Sequence, residues 1–180
     1  MKSLNYYNLE KLNFLIVEDN QFELHVLKQV LNSLGIKRIK EAGDGAEALA
    51  VLKTGYFPDI IITDWLMPVL DGMELIRLIR KGTDVVDPHV PIIMVTAHSE
   101  QSRILAARDA GATEILIKPY SATDLYRRFV AIIDRPRDFV KAKTFAGPDR
   151  RRRSNGGFKG EDRRQNRGTD ADRRKLPSEA

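Results

Sequence analysis

The sequence predicts an α/β fold, a doubly wound parallel sheet in which five strands alternate with five helices. Four short apolar runs lack polar alternation, which is typical of strands buried on both faces of a parallel sheet. Segments with helical apolar spacing follow them, and short connections with right-handed crossovers favour the doubly wound arrangement. Distinctive polar residues also end these four runs, at Glu18-Asp19, Asp64, Thr96 and Lys118.

The first two strand–helix pairs occupy residues 14–53. The first strand, Phe14–Val17, ends at an acidic pair, and Asn20 then suits the N-cap of a helix that ends at Gly35. A shorter strand, Arg38–Ala42, is followed by the helix Ala46–Lys53. Near-helical spacing assigns the apolar positions of the first helix to Phe22, Val26, Val30 and Leu34.

The third strand organises the rest of the chain. Its β-branched run Ile60–Ile62 leads to Asp64, which therefore stands at the carboxyl end of a central strand, the edge where open α/β sheets place their chemistry. Met67-Pro68 then forces an extended turn, and Asp71-Gly72 opens the next helix. This arrangement fits a site at which one aspartate is chemically modified; the alternative is an aspartate that caps a turn.

The last two strand–helix pairs follow a long loop at residues 82–90. The fourth strand, Pro91–Val95, precedes a helix that starts at residue 99 or 100 and ends at residue 111. The fifth strand, Glu114–Ile117, precedes a last amphipathic helix at Ser121–Asp134. We expect the three histidines to be surface residues rather than ligands.

Composition and charge divide the chain into two parts. Cysteine is absent, which excludes disulfides, thiolate metal sites and cysteine nucleophiles. Residues 141–180 contain 13 lysines and arginines against 6 aspartates and glutamates, a net charge of +7, whereas residues 1–140 carry −2. With neither a signal peptide nor a long apolar run, the sequence predicts a cytoplasmic protein without a membrane partner.

The polar residues that end the strands form a candidate site. The carboxylates of Glu18, Asp19 and Asp64 are hard oxygen ligands without a thiol or imidazole among them, and such ligands suit Mg²⁺. The ion, the Lys118 ammonium and the Thr96 hydroxyl would offset the charge of a phosphoryl group on Asp64. Phosphoryl transfer needs mainly such positioning and charge stabilisation.

These motifs resemble the receiver domain of bacterial response regulators, the CheY-like family. The resemblance covers about residues 10–135 and includes an Asp-x-x-Met-Pro-x-x-Asp-Gly signature that starts at Asp64. It implies a flavodoxin-like (βα)5 receiver fold with strand order 2-1-3-4-5 and a signalling protein rather than an enzyme. By resemblance, Asp64 is the phosphoacceptor, Thr96 the switch hydroxyl and Lys118 the partner of the phosphoryl group. The implied Mg²⁺ ligands are Glu18, Asp19, Asp64 and the carbonyl of Leu66.

Two residues depart from the family pattern. Glu18 stands where an aspartate is often found, a change of one methylene. Ile115 stands three residues before the lysine, where many members carry Tyr or Phe as a rotameric switch. An aliphatic side chain cannot report phosphorylation through an aromatic flip. The usual coupling to the face of the fourth helix, fifth strand and fifth helix is therefore in question.

The Arg-rich tail, residues 139–180, is predicted to be separate from a receiver domain at residues 1–138. Residues 141–180 contain three large apolar residues, so the tail should be disordered without ligand. The tail nevertheless repeats itself: Phe-x-Gly-x-Asp-Arg-Arg starts at Phe145 and again at Phe158, and Asp-Arg-Arg recurs at Asp172. A tail that only improves solubility needs no such register.

The repeated unit has donors and an acceptor that suit a guanine ligand bearing phosphates. Arginine pairs with guanine O6 and N7, stacks on bases and binds phosphate, and an adjacent Asp accepts from guanine N1 and N2. A receiver with such a tail resembles the Cle class of CheY-like cyclic di-GMP effectors, which implies that tail and fourth helix–fifth strand–fifth helix face bind this ligand. The ligand-binding residues are then Phe145, Gly147, Pro148, Asp149, Arg150, Arg151, Arg152, Arg153, Phe158, Asp162, Arg163, Arg164, Arg173 and Arg174.

The resulting hypothesis is a single-domain response regulator whose docking to a partner is modulated by cyclic di-GMP. The implied partners are a sensor histidine kinase or phosphotransfer protein and the flagellar motor switch, to which the protein would be recruited. One alternative is a phosphorelay shuttle with an inert tail. Another is a receiver whose tail binds RNA or DNA, which the Asp and Gly register does not favour.

Overall fold

The computed structural model describes residues 7–82, 87–142 and 145–150. Five parallel strands form a sheet of order β2-β1-β3-β4-β5, which confirms the predicted doubly wound receiver fold. The sheet strands are β1 Asn13–Val17, β2 Arg38–Ala42, β3 Ile60–Asp64, β4 Ile92–Thr96 and β5 Glu114–Ile117. The helices are α1 Gln21–Ser33, α2 Gly45–Lys53, α3 Gly72–Lys81, α4 Gln101–Ala110 and α5 Ala122–Asp134.

The strands supply apolar side chains to both faces of the sheet, as their unbroken apolar runs predict. On one face, Ile61 of β3 packs in a core with residues of α2, α3 and α4. On the other, Ile60 and Ile62 pack in a core with residues of α1 and α5. Both cores are buried, so the charged ends of the strands remain as the polar edge of the sheet.

The apolar face of α1 differs from the predicted one. The helix buries Leu24, Leu27 and Leu31, whereas Phe22 is 75% exposed and Val26 is 42% exposed. Two apolar stripes occur on this helix at near-helical spacing, and the leucine stripe is the one that meets the core beneath the sheet. The assignment of the core face to Phe22, Val26, Val30 and Leu34 is therefore wrong for its first two members.

Close packing at the start of α3 fixes the loop that follows the third strand. A Cβ atom at Gly72 would lie 2.0 Å from the carbonyl oxygen of Asp64, so no other residue fits there without displacing the backbone. Asp71 caps the helix through the amide of Glu74, and the Glu74 side chain accepts from the Asp71 amide in return. The loop that carries Asp64 is thus held at both ends.

A two-stranded antiparallel hairpin follows α5, with strands β6 Phe139–Ala142 and β7 Phe145–Pro148. These residues belong to the predicted disordered tail, and the structure corrects that prediction for residues 139–142 and 145–150. The hairpin is ordered because it packs on the domain: β7 contacts α3 and α4, and the Phe139 ring stacks on His89 at 4.2 Å. The compact unit that contains the sheet extends to Arg150.

Among the described helices, none combines the length and the apolar character that a membrane span requires.

Candidate functional site

Three carboxylates surround one ammonium group at the carboxyl edge of the sheet. Lys118, just after β5, donates from Nζ to Glu18 Oε2 at 3.1 Å and to Asp64 Oδ1 at 2.6 Å. It also donates to Glu23 Oε2, in the first turn of α1. The predicted meeting of Glu18, Asp64 and Lys118 is observed, and Glu23 is a member that the sequence reasoning did not identify.

The local geometry of the α1 N-terminus explains why Glu23 is available to Lys118. Asn20 caps the helix by accepting from the amides of Phe22 and Glu23. In a capping box the third helical residue would return a hydrogen bond to the cap amide. Here the Asn20 amide donates instead to Glu18 Oε1 at 3.3 Å, which leaves the Glu23 carboxylate free to reach the lysine. Its position three residues after the cap was the only sequence signal for Glu23.

Burial and charge act in opposite directions on the members of this group. Burial raises the pKa of Glu18, and the nearby Asp64 carboxylate raises it further, while Lys118 lowers it by less. Burial lowers the pKa of Lys118, but hydrogen bonds to Asp64 and Glu23 together with the negative charges of Asp64 and Glu18 more than compensate, so its pKa lies above the usual range. Lys118 is therefore a permanent cation in a pocket with excess negative charge.

Asp64 is held by two hydrogen bonds on different oxygens. Oδ2 accepts from the amide of Leu66 at 2.8 Å, and Oδ1 accepts from Lys118. The Asp64 side chain is 12% exposed, whereas that of Glu18 is 7% exposed. Asp64 is thus oriented by the protein and slightly more exposed than Glu18.

The donor set also fits a hard divalent cation. One carboxylate oxygen each from Glu18, Glu23 and Asp64 lies within 4.8 Å of the others, and all are oxygen ligands. Asp19, a predicted ligand, is exposed and stands outside this group, and Leu66 lies next to Asp64 with its side chain 56% exposed. The assignment of Asp19 and of the Leu66 carbonyl as ligands stays a prediction.

The rim of the site is formed by the loops after β3 and β4. Thr96 is buried at the end of β4, and its hydroxyl accepts from the amide of His98 at 3.0 Å. The His98 ring meets Trp65 edge-on at 6.0 Å, and the Arg103 guanidinium lies 5.8 Å from the same indole ring. These contacts join the Thr96 loop to the Asp64 loop through Trp65.

Ile115 lies in the middle of β5, opposite Met94 in the strand register, and packs partly buried against the core. The side chain that replaces the usual Tyr or Phe is therefore aliphatic and packs against the apolar core.

Tyr120, two residues after Lys118, is partly buried, and burial raises the pKa of its hydroxyl.

The structure places five predicted ligand-binding residues of the tail in or next to β7. Gly147 and Pro148 are buried, and the Arg150 guanidinium stacks on the Phe145 ring at 4.0 Å. The amide of Asp149 donates to the carbonyl of Asp138 at 2.7 Å. The remaining predicted residues lie outside the described part of the chain: Arg151, Arg152, Arg153, Phe158, Asp162, Arg163, Arg164, Arg173 and Arg174.

Comparison with protein families and curated proteins gives consistent matches. The family model described as the response regulator receiver domain matches residues 14–130. The chain is 34% identical over 126 residues to the chemotaxis protein CheY-3 of Vibrio cholerae, covering 70% of this chain and 95% of the relative. It is 36% identical over 124 residues to the chemotaxis protein CheY of Pseudomonas aeruginosa, covering 69% and 98%.

Solved structures show the same fold. The receiver domain of a sensor histidine kinase from Pseudomonas aeruginosa, with a magnesium ion coordinated in its active site cleft, has a TM-score of 0.61 and 32% identity, covering 68% of this chain and 98% of that one. The CheX–CheY–BeF3–Mg complex from Borrelia burgdorferi has a TM-score of 0.60 and 28% identity, covering 68% and 89%. These matches coincide with the sheet and the acidic site and do not extend over the whole tail.

Proposed function

The chain belongs to the response regulator receiver domain family, and we propose that it is a single-domain response regulator with two inputs. Phosphorylation of Asp64 is the first input, and binding of cyclic di-GMP through the Arg-rich tail is the second. The observation that carries the first input is the hydrogen bond between Asp64 and Lys118 inside a pocket of further carboxylates.

The residues of the pocket have distinct roles in the proposed phosphorylation. A carboxylate oxygen of Asp64 attacks the phosphorus of a phosphodonor, a new O–P bond forms, and the bond from phosphorus to the leaving group breaks. Lys118 keeps Asp64 in place and then pairs with the oxygens of the transferred group, while Thr96 is positioned at the end of the neighbouring strand. Glu18 and Asp64, together with Asp19 or Glu23, would hold Mg²⁺, which would supply positive charge to the phosphoryl oxygens.

Treatment with a small phosphodonor and Mg²⁺ tests this assignment directly. Mass spectrometry should find one phosphoryl adduct on the wild-type chain and none on Asp64→Asn, which keeps the size of the side chain and lacks the nucleophilic oxygen. Asp59→Asn is the matched control, because Asp59 immediately precedes the same strand and its substitution should leave the adduct unchanged. An adduct that persists in Asp64→Asn would contradict the assignment.

The second input is supported by the repeated Phe-x-Gly-x-Asp-Arg-Arg units and by the first unit's arrangement. Arg150 is already stacked on Phe145 at 4.0 Å, so one guanidinium plane is held in a defined orientation. A guanidinium group held in this way is suited to bind guanine edges and phosphates.

A sensor histidine kinase or phosphotransfer protein is the proposed source of phosphoryl groups. The flagellar motor switch is the proposed docking partner, because two relatives are chemotaxis proteins.

Calorimetric titration with cyclic di-GMP separates this proposal from its alternatives. The full chain should bind the ligand, GTP should bind more weakly, and deletion of residues 151–180 should lose most of the affinity. A tail that binds RNA or DNA would instead prefer mixed-sequence oligonucleotides, with an affinity that falls steeply with salt. If neither ligand class binds and the deletion leaves phosphorylation unchanged, the protein is a phosphorelay shuttle with an inert tail.

A further inference from the structure

A cleft of about 350 Å³ lies between α3 and the hairpin, away from the acidic site. Its charged walls are Arg77 and Lys81 of α3 and Lys141 of β6, and its apolar wall is Phe145 and Ala146 of β7. Phe145 is the first residue of the first repeated unit of the tail. The cleft is therefore built jointly by the receiver domain and by the segment that was expected to bind the ligand.

The cations of this cleft lack anionic partners among the described residues. Arg77, Lys81 and Lys141 are exposed, and none of them forms an ion pair within the described ranges. Among the described residues that line the cleft, the one carboxylate is Asp109, which is paired with Arg108 at 3.0 Å and lies 3.5 Å from Arg150. Three side chains of one sign in one concave site attract an anion of more than one charge.

A fourth cation, Arg80, lines the cleft from its buried side. Arg80 is buried and donates to the carbonyls of Gly111 at 2.9 Å, Pro88 at 2.6 Å and Val90 at 2.7 Å. These acceptors are neutral, and the nearby Asp87 carboxylate offsets part of the positive charge of the guanidinium. The remaining charge adds to the field of the three exposed cations above it, and a buried charge is screened less than an exposed one.

The α4-β5-α5 face is the surface on which the tail is expected, from the sequence, to bind the ligand. The cleft lies at the opposite end of α4 from Arg103, a residue near the start of that helix. Arg103 is in the first turn of α4, beside Trp65 and the phosphorylation site. Gly111 caps the other end of α4, and a Cβ at Gly147 of β7 would lie 2.9 Å from its Cα. Eight residues of helix separate the two ends by about 12 Å.

We propose that this cleft binds the phosphate groups of cyclic di-GMP, so that α3 and the hairpin, rather than the α4-β5-α5 face, complete the binding site of the tail. The inference rests on the proposed second input and specifies its receiver surface. Phe145 and Arg150 offer a ring and a guanidinium plane for a guanine, and Arg77, Lys81 and Lys141 receive the two phosphates. Arg150 lies beside the cleft, because its guanidinium contacts the lining residues Phe145 and Asp109.

Charge reversals in the full-length chain test the proposal by calorimetry with cyclic di-GMP. Arg77→Glu and Lys141→Glu should each weaken binding by about tenfold or more, because each removes a charge-assisted hydrogen bond and adds repulsion. Lys40→Glu makes the same change in an exposed lysine of β2, at the far edge of the sheet, and should stay within about twofold of wild type. Arg103→Glu makes the Arg77 change on the α4 face and should behave like Lys40→Glu.

The outcomes separate this inference from the proposed function on which it rests. If the wild-type chain binds cyclic di-GMP and the Arg77 and Lys141 variants bind equally well, the cleft is not the site, although the second input stands. Loss of binding in Arg103→Glu alone would assign the ligand to the α4-β5-α5 face and overturn the inference. A wild-type chain that does not bind overturns both. Urea unfolding of every variant serves as the check that the domain is folded.

Discussion

At the scale of single residues, the candidate site at the carboxyl edge of the sheet consists of three carboxylates that pair with one lysine. Glu18, Glu23 and Asp64 share the Lys118 ammonium, so the pocket keeps a net negative charge when its carboxylates are ionised. Such an arrangement orients Lys118 but also holds it away from an incoming phosphoryl group. The balance between these two effects depends on the most exposed of the three carboxylates, Glu23, whose side chain is 43% exposed.

Glu23→Gln should increase the rate at which a small phosphodonor phosphorylates Asp64. With one charged partner fewer, Lys118 moves more readily from its resting contacts to the phosphoryl oxygens. Because the ion pair is partly exposed, the expected gain is modest, about two- to fivefold. The measurement is the rate of adduct formation with saturating Mg²⁺. Glu41→Gln, which removes a comparable ion pair with Lys28, is the control and should leave the rate unchanged. A slower Glu23→Gln would show that Glu23 assists catalysis instead.

Glu18→Gln should raise the free energy of unfolding at pH 7. The folded-state pKa of Glu18 is raised above that of the unfolded chain, so its contribution to stability is present below the unfolded pKa of 4.5 and is lost as pH rises through the folded pKa. Glutamine has no such loss. The variant's advantage in urea unfolding should therefore shrink as pH falls through the folded pKa toward 4.5, and it should not change further below 4.5. An advantage that grows toward acid would contradict the assigned cause.

At the scale of elements, the hairpin and α3 are joined through one buried arginine and two glycines. Arg80 ties α3 to the segment before β4 and to Gly111, and Gly111 in turn touches Gly147 of β7. A Cβ at Gly111 would lie 2.8 Å from Arg80 Cγ and 3.0 Å from the carbonyl of Ala146, and its φ of +109° favours glycine as well. The hairpin therefore docks through backbone-to-backbone contact.

Gly147→Val should separate the hairpin from the domain without unfolding the sheet. The Cβ of the added side chain would lie 2.9 Å from the Cα of Gly111, closer than van der Waals contact allows. Gly111 is the C-cap of α4, and moving its backbone would disturb the end of that helix. Hydrogen exchange of residues 139–148 should become faster, while that of β1 and β3 stays slow. Ala142→Val, at an exposed position of β6, is the control and should retain the protection. Unchanged exchange in Gly147→Val would contradict the docking contact.

Arg80→Met should destabilise the domain by about 2–4 kcal/mol, because three carbonyls lose their donor in a buried place. The thioether keeps much of the volume, so the loss reports hydrogen bonds more than packing. Urea unfolding measures the change. Arg77→Met, on the exposed side of the same helix, is the matched control and should alter stability by less than about 0.5 kcal/mol. Equal effects of the two variants on stability would contradict the claim that the buried hydrogen bonds of Arg80 stabilise the domain.

At the scale of the whole molecule, the features that follow from local pattern were predictable and those that follow from distant contacts were not. The doubly wound parallel sheet and the meeting of Asp64 with Lys118 were predicted because buried runs and their polar ends are visible in the sequence, whereas the strand order was implied by the resemblance to the receiver family. The contact of Glu23 with Lys118 joins residues 95 positions apart, and the position of Glu23 after the N-cap does not indicate this partner. The leucine face of α1 was missed because two apolar stripes have near-helical spacing, and only the core beneath the sheet chooses between them.

The hairpin was missed for a related reason. Its strands are short, carry Lys141 among few apolar residues, and gain their stability from α3, α4 and His89 rather than from their own composition. The predicted boundary at residue 138 was drawn where hydrophobic periodicity ends, yet the compact unit extends to Arg150. Composition reports what a segment can bury by itself, whereas docking depends on a surface that other elements provide.

The extent of the compact unit can be tested by two truncations. A chain that ends at Arg150 should unfold in urea like the full-length protein, because the hairpin and its contacts remain. A chain that ends at Asp138 loses the stacking of Phe139 on His89 and the cover over Gly111 and Arg80. Removing this apolar and backbone contact should lower the free energy of unfolding by about 1–3 kcal/mol. Both truncated chains should still be phosphorylated on Asp64, since the acidic site lies at the other edge of the sheet. Equal stability of the two chains would mean that the hairpin does not belong to the folded unit, and the domain would then end at residue 138.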